Sequence, residues 1–260
     1  MEVTISVFDV FAETLFSGNP AAVCALDEWL PDPVMQQIAA ENNLSETAFY
    51  VPEGLENRIR WYTPTYEIPL CGHATLAAGA VFFETYPYIR TVTFRYASGT
   101  LVVSRDDAEM LWLNLPVFHL KPVEIDASVR AVFSGVEAVY QAENYLMVVL
   151  PTMEQVLECA PDLFEIGRWP ASGVCITAPG EECDFVSRFF APKLGINEDP
   201  VTGSAHCALV PYWSNRLQKE ILHARQLSQR GGVIDCQHLG DRIQVGGHVQ
   251  AYMRGTLFLP

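Results

Sequence analysis

The chain carries a worn copy of itself, and this internal repeat limits its possible folds more than any other feature. The first half reads Arg60-Trp61-Tyr62-Thr63-Pro64, then Glu67, Pro69, Cys71, Gly72, His73 and Ala74. The second half reads Arg188-Phe189-Phe190-Ala191-Pro192, then Glu198, Pro200, Thr202, Gly203, Ser204 and Ala205. Both follow one template: Arg, two aromatics, a small residue, Pro, and later Glu-x-Pro-x-small-Gly-x-Ala. Upstream, Ser45-Glu46-Thr47-Ala48-Phe49-Tyr50-Val51-Pro52 aligns with Ser172-Gly173-Val174-Cys175-Ile176-Thr177-Ala178-Pro179. A repeat of about half the chain lies outside the solenoid periods of roughly 20–50 residues. It predicts two similar lobes, with a small-molecule site expected in a cleft between them.

Alternation and β-branched or aromatic enrichment predict strands at 3–9, 20–25, 46–51, 57–62, 90–96, 100–105 and 110–115 in the first half. The second half shows similar runs at 144–150, 173–178, 183–190, 224–229, 242–246 and 249–258. Two amphipathic helices precede the Ser45 and Ser172 strands. One begins near Pro33 with Asp32 as N-cap; the other follows Thr152, with Gln155 placed for a capping box. Gly72–Phe83 and Gly203–Trp213 are almost wholly apolar, as befits helices buried all round. Pro211 should kink or shorten the second of these. The predicted lobes are 1–115 and 130–249, with the Pro-bearing stretch 116–130 as linker.

A formal net charge of −15 argues against nucleic acid, whose phosphates need a basic face, and disfavours anionic membranes. No apolar run reaches the roughly 18–20 residues that span a bilayer, and no signal-peptide pattern opens the chain. The seven cysteines show no Cys-x-x-Cys spacing, so no zinc site or redox pair is expected. They read as buried thiols of a reducing cytoplasm.

Cys71-Gly72-His73 and Thr202-Gly203-Ser204 each open one of the buried helices. A helix start offers unpaired N–H groups and a partial positive charge, and glycine lets a ligand approach. An anion site can thus be built without Lys or Arg. The bland alternative is that small residues simply begin two core helices. Where the copies differ, chemistry is expected: Glu46 faces Gly173, His73 faces Ser204, Asp199 faces Ile68 and Cys71 faces Thr202. Burial of Glu46 suits a group that must take and return a proton. His73, near a positive helix end, should have a lowered pKa and act as a neutral partner. Asp199 serves either as an N-cap or as the carboxylate that orients His73. Glu67 and Glu198, kept in both copies, are expected to be structural. Gly18-Asn19-Pro20 reads as a turn, with Asn19 also able to donate to a substrate.

These residues resemble one family. Ser45-Glu46-Thr47-Ala48-Phe49, Thr63-Pro64-Thr65-Tyr66-Glu67, Leu70-Cys71-Gly72-His73-Ala74-Thr75-Leu76-Ala77 and Glu198-Asp199-Pro200-Val201-Thr202-Gly203-Ser204-Ala205-His206 are similar to the PhzF-like isomerases of phenazine biosynthesis. Gly18-Asn19-Pro20-Ala21-Ala22-Val23 and Arg230-Gly231-Gly232 also fit. The resemblance implies the α+β diaminopimelate-epimerase-like fold: two pseudo-symmetric lobes, each a curved, mostly antiparallel sheet around a central helix. It implies that the last strand, about 250–260, returns to the first lobe. It further implies a cofactor-independent, metal-free isomerase of a small carboxylic acid, often a homodimer. Glu46 would move the proton, with His73 and Asp199 catalytic beside it. Asn19, Gly72, Thr202, Gly203 and Ser204 would hold the substrate. The distant epimerases use two cysteines; here the second position is Thr202, so two-cysteine racemisation is not available. Pro69 stands where many relatives carry an acidic residue, which leaves the substrate open. A non-catalytic binder of small acids and an amino-acid epimerase or racemase are the competing readings; a hydrolase is weak, because no Gly-x-Ser-x-Gly elbow is present.

Overall fold

The computed structural model describes residues 1–53 and 56–259. In chain order the first elements are β1 (Glu2–Val10), β2 (Asn19–Ala25), α1 (Asp32–Asn42), β3 (Glu46–Glu53), β4 (Glu56–Tyr62), β5 (Glu67–Ile68) and α2 (Gly72–Thr85). Next come β6 (Thr91–Tyr96), β7 (Gly99–Arg105), β8 (Leu111–Pro116), β9 (Leu120–Val123), α3 (Ala127–Val132), β10 (Ala138–Ala142) and β11 (Tyr145–Val149). Then follow α4 (Met153–Leu157), α5 (Leu163–Arg168), β12 (Val174–Pro179), β13 (Phe185–Ala191) and β14 (Ile196–Asp199). The chain ends with α6 (His206–Leu217), β15 (Ile221–Gln226), β16 (Gly232–His238), β17 (Arg242–Gly247) and β18 (Val249–Phe258).

Two compact units are formed, residues 1–114 with 246–260 and residues 115–245. In the first, β18 pairs antiparallel with β1 along its length, from Glu2↔Phe258 to Val10↔Val249. Pro260 lies outside the described residues. The ladder then runs β1·β2 antiparallel, β2·β3 parallel, β3·β4 antiparallel, β4·β6 parallel and β6·β7 antiparallel. The second unit repeats these senses: β10·β11 antiparallel, β11·β12 parallel, β12·β13 antiparallel, β13·β15 parallel and β15·β16 antiparallel. The repeat in the sequence is therefore a repeat of strand pairing.

In the first unit α2 packs on β1, β2, β3 and β7. Its residues Gly72 to Gly79 are all buried. A Cβ on Gly79 would lie 2.7 Å from Val103 Cγ1, so glycine is what lets the helix touch β7. A separate apolar cluster joins Met35, Ile38 and Ala39 of α1 to Val3, Ile5, Cys24, Phe49 and Val51. The second unit repeats the division. There α6 packs on β15 and β16, while Val156 and Ile166 of α4 and α5 join Val174, Ile176 and Val186 in a second cluster. Among the described residues no helix is long and apolar enough to cross a membrane.

Several local expectations are corrected. Asp32 is the first helical residue of α1, not its cap; its carboxylate accepts from Arg60 Nη1 at 2.8 Å, and Pro31 occupies the cap position. Thr152 does cap α4, accepting the Gln155 N–H at 3.3 Å. The stretch 116–130 is no bare linker, since it holds β9, paired with β10, and the first turns of α3. Gly203–Ala205 forms a 3₁₀ turn before α6 rather than its first α-helical turn. Pro211 lies inside α6 without ending it. Proline has no N–H for the carbonyl four residues back, that of Cys207. That carbonyl instead accepts the Phe118 N–H at 2.8 Å, so the helix continues with no orphaned group there.

Candidate active site

Three element starts meet in the first unit. Gly18, at φ +68°, turns the chain so tightly that a Cβ would sit 2.2 Å from the Val10 carbonyl oxygen. That turn sets Asn19 opposite Val10 as the first residue of β2. Glu46 begins β3, beside Ala21 of β2. His73 is the second residue of α2. All three side chains are buried: Asn19 0%, Glu46 7% and His73 5% exposed.

The imidazole of His73 is contacted on both edges. Nε2 lies 3.1 Å from Glu46 Oε2. Neither of those atoms completes a well-aligned hydrogen bond. Catalytic contacts are often poorly aligned before substrate arrives. On the other edge, Nδ1 has Asn19 Nδ2 at 3.4 Å and Cys71 Sγ at 3.6 Å. An Nδ1 that accepts from the Asn19 amide leaves the ring proton on Nε2, facing Glu46.

Burial by itself lowers the His73 pKa, but the Cys71 and Glu46 side chains beside the ring outweigh it, and the net direction is well upward. This reverses the fall expected from the helix end alone. Cys71 is pushed up by burial and by Glu46, which favours its thiol form. Glu46, Cys71 and His73 each offer a possible metal-ligand atom within 4.8 Å of the others. Cys71 and Glu46, however, address opposite ring nitrogens. An ion held through one nitrogen would need one of these two side chains to move.

The second unit gathers the other predicted residues. Asp199 ends β14 and its Oδ2 accepts the Thr202 hydroxyl at 2.5 Å, so it is no N-cap. Thr202 donates its N–H to Gln226 Oε1 at 2.8 Å, and its carbonyl faces His206 Nδ1 at 3.0 Å. Both Thr202 donors are thus engaged inside the protein. Gly203 and Ser204 follow, opening the 3₁₀ turn that leads into α6. Their N–H groups, like those at Gly72 and His73, have no intrahelical partner by the geometry of a helix start.

Glu67 and Glu198 each take a bidentate grip from their repeat's arginine. Arg60 bonds Glu67 at 2.8 and 2.6 Å; Arg188 bonds Glu198 at 2.7 and 3.0 Å. These forks tie β4 and β13 to β5 and β14, the short strands that precede the helix starts. Sequence reasoning missed His206 and Gln226. His206 was detectable, because it aligns with Thr75 in the other copy. Gln226 had no local signal, since strand pairing brings it from far along the chain.

The profile of the family described as phenazine biosynthesis-like protein matches residues 8–255. An uncharacterized isomerase of Pseudomonas aeruginosa is 47% identical, with both chains fully covered. A crystal structure of a phenazine biosynthesis protein of the PhzF family from Enterococcus faecalis superposes with TM-score 0.96 at 43% identity, again covering both chains fully. A probable proline racemase from Agrobacterium radiobacter shares the fold alone, with TM-score 0.68 at 10% identity over 99% of this chain and 93% of that one. The repeated ladder, the two helix starts and these likenesses agree, and the chain belongs to the PhzC-PhzF family of phenazine biosynthesis-like proteins.

Proposed function

We propose that the protein is an isomerase of a small carboxylic acid, moving a proton between carbons without a cofactor. The observation that carries this reading is the buried Glu46–His73 contact of 3.1 Å in a chain whose relatives include isomerases. Glu46 takes a proton from a carbon made acidic by an adjacent carboxylate or conjugated alkene, and returns it elsewhere. His73, held by Asn19 and Cys71 on one edge, sets the position of the carboxylate and steadies its charge. The helix-start N–H groups, at Gly72–His73 in the first unit and at Gly203–Ser204 in the second, are each suited to hold a carboxylate or a developing negative charge. Asp199 assists at the second helix start.

A positioned acid–base group contributes roughly 10²- to 10⁴-fold, and oriented N–H donors supply much of the remainder. The test is deuterium incorporation from heavy water into a panel of L-amino acids and dienoic acids, followed by NMR. Wild type should label at least one acid at carbon, and Glu46→Gln should not. Labelling by Glu46→Gln at the wild-type rate would remove Glu46 as the base.

A further inference from the structure

The loop from Asp199 to Ser204 supplies four of the candidate site residues, and its shape depends on a side chain from well outside it. Gln226, the last residue of β15, is 1% exposed. Its Oε1 accepts the Thr202 N–H at 2.8 Å. Its Nε2 donates to the Asp199 carbonyl at 2.7 Å and to Thr202 Oγ1 at 3.2 Å. This orientation is the one that works. Exchanging the amide N and O would set N–H against N–H and carbonyl against carbonyl. Because Thr202 Oγ1 accepts from Nε2, its own proton is left to point at Asp199 Oδ2, 2.5 Å away. A chain of donors therefore runs from Gln226 through Thr202 to the Asp199 carboxylate, while the same amide pins the backbone just before Gly203.

The first copy lacks this device. Gln226 pairs with Ser187, which aligns with Ile59 through the two template arginines. Continuing the pairs Asn57↔Phe94 and Arg58↔Arg95 by one residue sets Tyr96 at the matching place. Tyr96 instead packs its ring on Trp61, with centroids 5.6 Å apart. The amide occurs in the copy that carries Asp199.

We propose that Gln226 is a positioning residue: it aims the Asp199 carboxylate and fixes the Gly203–Ser204 donors. The proposal rests on the isomerase reading for its catalytic consequence, and on the hydrogen-bond network alone for its structural one. The test uses Gln226→Glu, the same size and able to donate only when protonated, beside Gln226→Met, which neither donates nor accepts comparably.

In the first arm, amide hydrogen exchange of the full-length protein is followed by mass spectrometry. Peptides covering 199–204 should exchange about tenfold faster in Gln226→Met than in wild type, the loss expected for one buried hydrogen bond. Peptides from the first unit should not change. Unchanged exchange at 199–204 overturns the proposal.

The second arm uses the panel acid that wild type labels fastest. Turnover by Gln226→Glu should fall about tenfold or more at alkaline pH and recover as the pH is lowered, because the protonated carboxyl restores the bond to the Asp199 carbonyl. Gln226→Met should stay low at every pH. A Gln226→Glu profile parallel to wild type overturns positioning of Asp199. If wild type labels no panel acid, the isomerase reading falls and takes the catalytic half with it, while the exchange arm still decides whether Gln226 holds the loop.

Discussion

At the start of α2, Thr75 donates its hydroxyl to the Cys71 carbonyl four residues back. At the start of α6, His206 Nδ1 faces the Thr202 carbonyl in the same relation. Thr75 and His206 hold equivalent template positions, so both copies fasten the carbonyl that precedes the glycine. Around this common frame the copies part. In the first, the β3 position carries Glu46 against His73. In the second, that position is Gly173, and a Cβ there would meet the Phe190 carbonyl oxygen at 2.9 Å and the Phe189 ring at 3.0 Å. Phe189 packs edge-on to Tyr145, whose hydroxyl donates to the Ala205 carbonyl. One copy keeps a buried carboxylate–imidazole contact beneath its helix start; the other has aromatic rings packed at the matching place. A shared backbone frame can thus be retained while the space below it changes from a polar contact to aromatic packing.

The largest expected effect breaks the first copy's half of this contrast. Glu46→Gln keeps size and hydrogen-bonding reach but cannot accept the proton. Turnover should fall by roughly 10²- to 10⁴-fold, while the thermal midpoint moves little. Single-turnover labelling in heavy water and a thermal melt together check it. A large loss of stability with little loss of turnover would make Glu46 a packing residue, like the rings opposite Gly173 in the other copy.

Much of this contrast could be read in the sequence because it lies in aligned short motifs. Glu46 against Gly173 and His73 against Ser204 are visible wherever the copies are superposed, and the strand periods locate most ladders. What could not be read depended on partners distant along the chain. The direction of the His73 shift needs the Glu46 and Cys71 contacts, which no spacing reveals. That Gln226 and Asp199 engage both Thr202 donors was likewise invisible in the sequence. Short strands such as β5, β9 and β14 were missed because a few residues carry too little periodicity. The helical Pro211 was misjudged because its compensation comes from the Phe118 N–H in another segment.

The two buried histidines sharpen the comparison through opposite pH dependence. His206 has a backbone carbonyl and the Phe185 ring as neighbours; burial drives its pKa from 6.5 to about 4, only partly opposed by the Thr202 carbonyl. The unfolded chain then binds a proton that the native state refuses. Native stability should fall as pH drops from about 6.5 towards 4, by on the order of 3 kcal/mol in full. For His73 the sign inverts, because its native pKa is raised. Its contribution is present below about pH 6.5 and is lost as pH rises through the native value. Denaturant unfolding from pH 4 to 9 should therefore show that His206→Asn gains relative to wild type in acid, whereas His73→Asn gains in base. The same slope for both variants would mean that the two helix starts are electrostatically alike.

Gly173→Ala tests whether packing has closed the second copy to a side chain. The added methyl needs the Phe190 backbone or the Phe189 ring to shift, and overpacking of this kind costs about 1–3 kcal/mol. Turnover per folded molecule should be nearly unchanged. A neutral melt would show that the ring moves freely, and that the second copy could still accommodate a group where the first carries Glu46.

The smallest effect concerns the arginine forks, the part of the template that looks identical in both copies. Arg60 shares its guanidinium between Glu67 and Asp32, whose side chains are 41% and 70% exposed. Pairs this wet contribute about 0–1 kcal/mol each. Arg188 is 13% exposed, and besides Glu198 its Nη1 donates to the carbonyls of Val156, Leu157 and Cys159 at 3.1, 3.2 and 2.6 Å. Those carbonyls lie at and just past the C-terminal end of α4; that of Val156 is also met by the backbone N–H groups of Glu158 and Cys159. Arg188→Met removes one donor from all three and leaves a half-buried carboxylate without its arginine, whereas Arg60→Met leaves acids that water can solvate. The second substitution should cost under about 1 kcal/mol and the first about 1 kcal/mol more. High salt should weaken the Arg60 fork and leave most of the Arg188 effect in place, since screening acts on exposed charges and hardly on hydrogen bonds to carbonyls. Equal losses with equal salt sensitivity would show that the two forks differ only in their surroundings and not in what they hold.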